Sequence, residues 1–168
     1  YATRLTMGII ENKLKEHNLL RSTRRKVVRY GQSINLGQFR IEFIRTNHSI
    51  QDAAALAIYS PAGIVVHTGD FKEDYTPVYG DAIDLQRFAE LGSSSRGVLA
   101  LLCDSTNAER PGFTQSERSL SKTFDTIFTE HKNTRIIVAT FASNVDRVQQ
   151  IINAADRFGR KVVVEGRS

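Results

Sequence analysis

The sequence predicts a mixed α/β fold in which a β-rich part precedes a part where strands and helices alternate. Short segments with the composition of strands fill much of residues 25–103. After residue 109, helical spacing of apolar residues alternates with short β-branched runs, a pattern typical of a parallel sheet covered by helices. A polar loop with Pro and Gly at 107–112 separates the two parts and marks a predicted domain boundary.

The first elements are a helix and two strand regions. Residues 4–17 carry Leu and Ile at positions that share one helix face. Segments 25–30 and 34–45 have strand composition, the second around a turn region at Asn35–Gly37. Residues 52–59 fit a strand or a helix by composition.

The rest of the first part contains strands on either side of a short helix. A turn at Pro61–Gly63 and the β-branched run Ile64–Val66 favour a strand, turn and strand over this region. Residues 84–91 predict a helix that ends at Gly. Residues 97–103 form an apolar run of the length of a buried strand, with Asp104 at its end.

The second part opens with a predicted capping box at Thr114–Glu117, followed by a helix to about residue 132. Ser143 is placed to cap a further helix, which Gly159 ends. Two more runs have strand composition, residues 135–140 and 161–164.

The composition is that of a folded protein without a membrane segment. The chain has 168 residues, of which 40% are hydrophobic and 24% charged, enough for one domain or two incomplete ones. No apolar run approaches the roughly 18 residues of a membrane span, and the first ten residues do not form a signal peptide. A single cysteine, Cys103, excludes a disulfide framework, fits a small core residue better than a reactive thiolate, and indicates a reducing, cytoplasmic location. The start at Tyr1 suggests a piece of a longer chain.

The net charge of +5 is concentrated at the N-terminus. Residues 1–30 contain eight basic and two acidic side chains, whereas the remainder is close to neutral. A basic segment of this kind fits a polyanion such as RNA, and it equally fits an ordinary solvated helix face, which is the more common case.

Two of the four histidines, His48 and His67, lie at the ends of predicted strands, and of these we expect a structural role for His67 and consider His48 a candidate for metal binding. His17 and His131 lie near predicted helix C-termini, where a structural role is expected. His48 directly follows a strand, and Asp70 follows the strand that ends at His67, so both lie where sites are commonly built. Histidine with aspartate suits zinc. On the residues alone, a loop histidine and a turn aspartate without ligands remain the more frequent alternative.

A phosphate-binding candidate lies at the start of the last helix. Ser143 and Asn144 can offer a hydroxyl, an amide and backbone N–H groups to a phosphate. Capping of the helix explains Ser143 equally well.

Five segments in a fixed order resemble one nuclease family. They are TNHSIQDAAALAI, HTGDFK, TPVYGDAIDLQRFAELG, DSTNAERPGFTQSE and ATFASNVDRVQQI. Together they closely resemble the ribonuclease J family, which belongs to the metallo-β-lactamase and β-CASP nucleases, and the first 17 residues resemble the helix that follows that family's first metal motif. The resemblance covers essentially the whole chain.

The resemblance implies a fold, an activity and a site. The fold would be part of a metallo-β-lactamase αββα sandwich over residues 1–108 and the start of an inserted β-CASP α/β domain over 109–168. The activity would be RNA hydrolysis, 5′-to-3′ exonucleolytic and endonucleolytic, with two zinc ions. It also implies RNA as the substrate and a homo-oligomer or a paralogous partner in the full-length protein.

The same resemblance assigns roles to individual residues. His48 corresponds to a ligand of one zinc, and Asp70 to the aspartate that bridges both ions. Asp104 corresponds to an acidic residue that orients a ligand. Ser143, with Asn144, corresponds to a segment that contacts RNA phosphate.

The departures from the family pattern limit what this chain is expected to do alone. The His-x-His-x-Asp-His motif is absent, which leaves His48 and Asp70 as the only expected ligands. Asp146 stands where the resemblance leads us to expect a histidine, which reverses the local charge. We therefore expect the isolated chain to be inactive, with a non-catalytic RNA-binding fragment or a hydrolase of another substrate, such as a small ester, as alternatives.

Overall fold

The computed structural model describes residues 1–166, so the last two residues of the predicted 109–168 domain lie outside the described residues. Its elements are helices, one short 3-10 turn and five strands. In chain order they are α1 (Arg4–Glu16), β1 (Ser33–Leu36), β2 (Phe39–Arg45), β3 (Ala54–Ser60), β4 (Gly63–His67), α2 (Leu85–Gly92), β5 (Val98–Leu102), the 3-10 turn Glu117–Ser119, α3 (Leu120–Glu130) and α4 (Val145–Arg157). The mixed α/β class that the sequence predicts is confirmed.

The five strands form one sheet in the order β1-β2-β3-β4-β5. The first three pairings are antiparallel, and only β4 and β5, which α2 connects, run parallel. Strands β2 and β4 both run antiparallel to β3, and β5 runs parallel to β4. The C-terminal ends of β2, β4 and β5 therefore lie at the same edge of the sheet. The loops that leave this edge carry His48, Asp70 and Asp104.

Apolar residues of the central strands form the main core together with α2. The buried members are Ile44, Ala55, Ala57, Ile64, Val66 and Leu91. A second, smaller cluster lies between α3 and α4, where Phe128, Ala154 and Ala155 are buried and the Phe128 and Phe158 rings stack at 5.7 Å. The two clusters fall on either side of the polar loop at 107–112.

Three strand predictions are wrong. Residues 25–30 contribute only a single bridge, between Val27 and Ala2. The runs 135–140 and 161–164 are not strands in the part of the chain that the structure describes, and Ile137 and Val163 are 88% and 82% exposed. A β-branched run indicates a tendency to extend, but a strand also needs a hydrogen-bonding neighbour. The parallel sheet expected after residue 109 is therefore absent from residues 109–166, and the parallel strands β4 and β5 both lie in the first part of the chain.

The apolar run at the end of the first part does form a strand, but it is not buried. Leu99 and Leu101 of β5 are 63% and 60% exposed. The reason is that β5 is an edge strand, paired only with β4. Cys103, predicted to be a small core residue, is exposed for the same reason.

The caps of the last two helices differ from the predicted ones by one or two residues. Ser116, rather than Thr114, caps the turn before α3 by accepting a hydrogen bond from the Arg118 N–H. Asn144, rather than Ser143, caps α4, because its Oδ1 accepts from the Arg147 N–H at 3.1 Å. Each predicted capping residue is itself exposed.

Candidate functional site

His48 and Asp70 come together at the edge where β2 and β4 end. The His48 Nε2 atom lies 3.9 Å from the Asp70 Oδ2 atom. The Asp70 side chain is 79% exposed and that of His48 is 32% exposed, so one partner faces solvent and the other is partly embedded. The Nδ1 atom of His48 is buried and has no hydrogen-bond partner among the described residues. The two nitrogens of this ring therefore face different surroundings.

The turn that carries Asp70 is fixed by Thr68, a residue that sequence reasoning did not single out. The buried Thr68 hydroxyl donates to the Gly69 carbonyl at 2.7 Å and accepts from the Asp104 N–H at 3.0 Å. Thr68 thus joins the turn after β4 to the residue that follows β5. Gly69 has φ +62°, a conformation that glycine adopts without strain.

Asp104 lies close enough to His48 to interact with it electrostatically. Hydrogen bonds from Thr106, whose N–H donates to Oδ1 at 2.9 Å, hold the pKa of the Asp104 carboxyl below its usual value, and the charge of His48 lowers that pKa further. Asp104 therefore stays ionised beside His48.

His67 does not join this group of residues. Its Nδ1 atom accepts a hydrogen bond from the Gly69 N–H at 3.0 Å, and the side chain is exposed. His17 and His131 are the C-cap residues of α1 and α3, as their positions in the sequence predict.

Ser143 lines the same cleft as His48 and Asp70. The cleft has a volume of about 1320 Å³. Four cationic residues also line it: Lys13, Arg135, Arg160 and Lys161. The carboxylates of Glu16, Asp70 and Glu165 line it as well, so the cleft carries charges of both signs.

Asn144 lies within the helix cap and is only 6% exposed. One neighbouring backbone donor is also used internally, because the Asp146 N–H donates to the Ser49 carbonyl at 3.2 Å. Of the predicted pair, Ser143 is the residue that is open to a ligand.

Asp146 is buried, with 7% of its surface exposed. Burial, together with the nearby carboxylate of Glu117, raises the pKa of Asp146, while Lys72 opposes the rise. The charge that replaces the expected histidine is therefore directed into the protein rather than toward the cleft.

The ligands of this chain do not amount to a complete metal site. Residues 1–166 contain no group of three or more His, Cys, Asp or Glu side chains arranged to hold a metal ion. A catalytic zinc takes three protein ligands. His48 and Asp70 fit two positions of such a site and leave the others unfilled by the described residues.

Comparisons with known proteins find a family model that matches the end of the chain and a solved structure with a similar fold. Residues 133–168 match the family model of the ribonuclease J β-CASP domain. Among solved structures, one of a protein of unknown function from Enterococcus faecalis V583 shares the fold, with a TM-score of 0.61 at 18% identity over 91% of this chain and 38% of that one.

The whole chain also matches individual ribonucleases. It is 47% identical to Ribonuclease J of Synechocystis sp., 42% identical to Ribonuclease J of Thermus thermophilus and 40% identical to Ribonuclease J2 of Bacillus subtilis, over its full length in each case. It spans 26%, 29% and 30% of those proteins. The chain is therefore homologous to a segment of ribonuclease J, which confirms the resemblance seen in the sequence.

Proposed function

We propose that this chain is part of a metal-dependent ribonuclease that hydrolyses RNA in both 5′-to-3′ exonucleolytic and endonucleolytic modes. The observation that supports this most strongly is the 3.9 Å approach of His48 Nε2 and Asp70 Oδ2 on a cleft that Ser143 also lines. The homology to ribonuclease J over the full chain supports the same activity. Its role is in RNA processing and decay, in the cytoplasm.

His48 and Asp70 are the residues of this chain that hold zinc. Zinc, when bound, would lower the pKa of a water molecule and neutralise charge on the phosphodiester. Because the chain offers two ligands, no hydrolytic step follows from it alone. Its own residues orient and bind: Asp104 keeps an ionised carboxylate beside His48, and Ser143 contacts the RNA phosphate, while the buried Asn144 holds the start of α4 behind it.

The two hydrophobic clusters support a division into two domains. Residues 1–108 are a partial metallo-β-lactamase domain, and residues 109–168 are the start of a β-CASP domain. The complete protein forms a homo-oligomer or pairs with a paralogue. None of the helices among residues 1–166 is long and apolar enough to cross a membrane.

The test compares this chain by itself with the same chain in a complete enzyme. A chimera is made in which these residues replace the matching segment of Ribonuclease J from Synechocystis sp. We expect the chimera to cleave a 5′-monophosphorylated RNA and the Asp70→Asn substitution to abolish that cleavage. The chain alone is expected to leave the RNA uncut. An active Asp70→Asn chimera, or an inactive parent chimera that is folded and loaded with zinc, would contradict the proposal.

A second candidate is a non-catalytic RNA-binding segment, which the exposed basic residues before β1 favour. Those side chains are Arg21, Arg24, Arg25, Lys26 and Arg29. Binding through them would be electrostatic, so the affinity for RNA would fall steeply with salt and would not depend on Asp70. Substitution of Arg24 and Lys26 by Gln in the isolated chain would reduce the slope of affinity against salt if this candidate is correct.

A further inference from the structure

A buried carboxylate joins the loop of Asp70 to the first turn of α4. Glu117 is 9% exposed. Its Oε1 atom lies 2.8 Å from Lys72 Nζ and 2.6 Å from Arg147 Nη2, and its Oε2 atom accepts from Arg147 Nε at 3.2 Å. We refer to Lys72, Glu117 and Arg147 as the Glu117 bridge.

These contacts determine the ionisation of the Glu117 carboxyl. Burial by itself raises the pKa of Glu117, but hydrogen bonds from Arg147 and Lys72 outweigh it, so the net pKa lies below its usual value. The carboxylate is thus ionised between two cations. Buried ion pairs contribute little net stability, because the cost of desolvation offsets their attraction. One reason for a protein to keep such a group is that it holds the neighbouring segments in a single geometry.

The backbone at both ends of the Glu117 bridge is hydrogen-bonded to the loop that carries His48. The Lys72 N–H donates to the Asn47 carbonyl at 2.7 Å, and the Asp146 N–H, next to Arg147, donates to the Ser49 carbonyl at 3.2 Å. These carbonyls belong to the residues immediately before and after His48. Together with the Glu117 bridge they close a ring of interactions that begins and ends at His48, which we call the His48 ring.

A small polar cavity lies beside the His48 ring and is completed by Asp74, Pro77 and Val78. Its volume is about 10 Å³, close to the minimum for one water molecule, and its lining includes Asn47, His48, Lys72, Glu117 and Asp146. The buried atoms Asn47 Oδ1 and His48 Nδ1 have no hydrogen-bond partner among the described residues. A histidine that ligates metal through Nε2 usually has its Nδ1 held by a polar partner. His48 thus lines this cavity with its Nδ1 atom buried and without a partner among the described residues, whereas its Nε2 atom approaches Asp70.

We propose that Glu117 is a positioning residue that acts through Lys72 and Arg147 to fix the His48 loop relative to Asp70 and Ser143. This inference rests on the proposed function for its catalytic meaning, whereas the coupling itself is a property of the folded chain. It predicts that removing the charge of Lys72 loosens the backbone near Arg147, and that removing the charge of Arg147 loosens the backbone at Lys72. Two independent structural contacts would lack this cross-effect.

The test measures amide hydrogen exchange in the full 168-residue chain without RNA or metal. Lys72→Met is expected to speed exchange at the Asp146 N–H by roughly tenfold, and Arg147→Met to do the same at the Lys72 N–H, a change of about 1.4 kcal/mol. Glu117→Gln is expected to speed both. Glu109→Gln, at an exposed glutamate in the loop before α3, is the matched control, and the amides of β3 report global opening.

A spectroscopic readout follows His48 itself. The chain has four histidines, so their ring protons are resolved in a one-dimensional NMR spectrum. Glu117→Gln is expected to shift or broaden the signals of the His48 imidazole protons while those of the His67 imidazole stay unchanged. If Glu117→Gln does not fold, the two cation variants carry the test.

The proposal is overturned if each cation variant affects only its own side, or if exchange rises equally at the β3 amides. In the chimera, Glu117→Gln is expected to lower kcat about tenfold with KM unchanged. A parent chimera that cuts no RNA, with the cross-effect intact, contradicts the proposed function but not the coupling. An active chimera without the cross-effect contradicts the coupling alone.

Discussion

The Nε2 atom of His48 lies 3.9 Å from the Oδ2 atom of Asp70, although the two residues follow different strands. The reason is topological: β2 and β4 flank β3 and both run opposite to it, so their C-terminal ends share one edge of the sheet. This relationship makes the pair a candidate for joint metal binding.

The first prediction concerns zinc binding by the isolated chain. We expect substoichiometric zinc, because two ligands do not complete a site, and we expect Asp70→Asn and His48→Ala each to abolish what remains. Elemental analysis after dialysis measures the zinc content. His67→Ala is the matched control, since this histidine accepts from Gly69 instead of approaching Asp70. Equal zinc loss in the control would contradict the assignment of ligands.

The second prediction separates the capping residue of α4 from the proposed phosphate contact. Asn144→Ala is expected to lower the free energy of unfolding by about 1 kcal/mol, because the Arg147 N–H loses its acceptor. Ser143→Ala should leave that free energy within about 0.5 kcal/mol, since Ser143 is exposed, but should weaken RNA binding by the chimera. Denaturant titration measures the first effect and fluorescence anisotropy the second. A stability loss confined to Ser143→Ala would reverse the two roles.

The third prediction concerns the buried Asp146. Its pKa is raised by burial and by Glu117, so the ionised form is disfavoured in the folded state. The contribution of protonated Asp146 to the stability of the folded chain is complete below the ordinary pKa of an aspartate and is lost as the pH rises through the raised pKa. We therefore expect Asp146→Asn to increase the free energy of unfolding at pH 7 by about 1 kcal/mol, the lower end of the cost of burying a polar group without full compensation. Asp156→Asn, at an exposed aspartate of the same helix, is the comparison in thermal denaturation. A decrease in Tm for Asp146→Asn would show that the ionised carboxylate is stabilising.

The fourth prediction has the opposite pH sign and concerns Glu42. Hydrogen bonds from Arg87, at 2.7 and 3.0 Å, lower the pKa of Glu42, with burial opposing and Tyr59 adding a further hydrogen bond. Its contribution is present above the ordinary glutamate pKa of 4.5 and is lost as the pH falls through the lowered value. Glu42→Gln is expected to cost about 2 kcal/mol at pH 7 and to flatten the acid limb of stability against pH.

Glu90→Gln is the control for that experiment. Glu90 also pairs with Arg87, at 2.7 Å, but its side chain is 48% exposed, so its substitution should lower the free energy of unfolding much less than Glu42→Gln does. Urea unfolding between pH 3 and pH 8 compares the two. Equal costs would mean that burial does not distinguish these carboxylates.

Much of the first part of the fold could be predicted from the sequence. The helix at the N-terminus, the strands on both sides of Pro61–Gly63 and the helix before Gly92 follow local periodicity and turn chemistry, and each is observed. The runs at 135–140 and 161–164 could not be predicted correctly, because strand formation depends on a neighbouring strand and a local pattern carries no information about that neighbour.

The sequence by itself determined the family and the residue types of the candidate site, since motif order and the identities of His48, Asp70, Asp104 and Ser143 are local information. Only the tertiary structure decided that Asn144 rather than Ser143 caps α4, that Asp146 is directed inward, and that Glu117 closes a ring around His48. The physical reason is that burial and ion pairing depend on which distant segments meet. Lys72, Glu117 and Arg147 are charged residues of three distant segments, and only the fold brings them together and buries the Glu117 carboxylate.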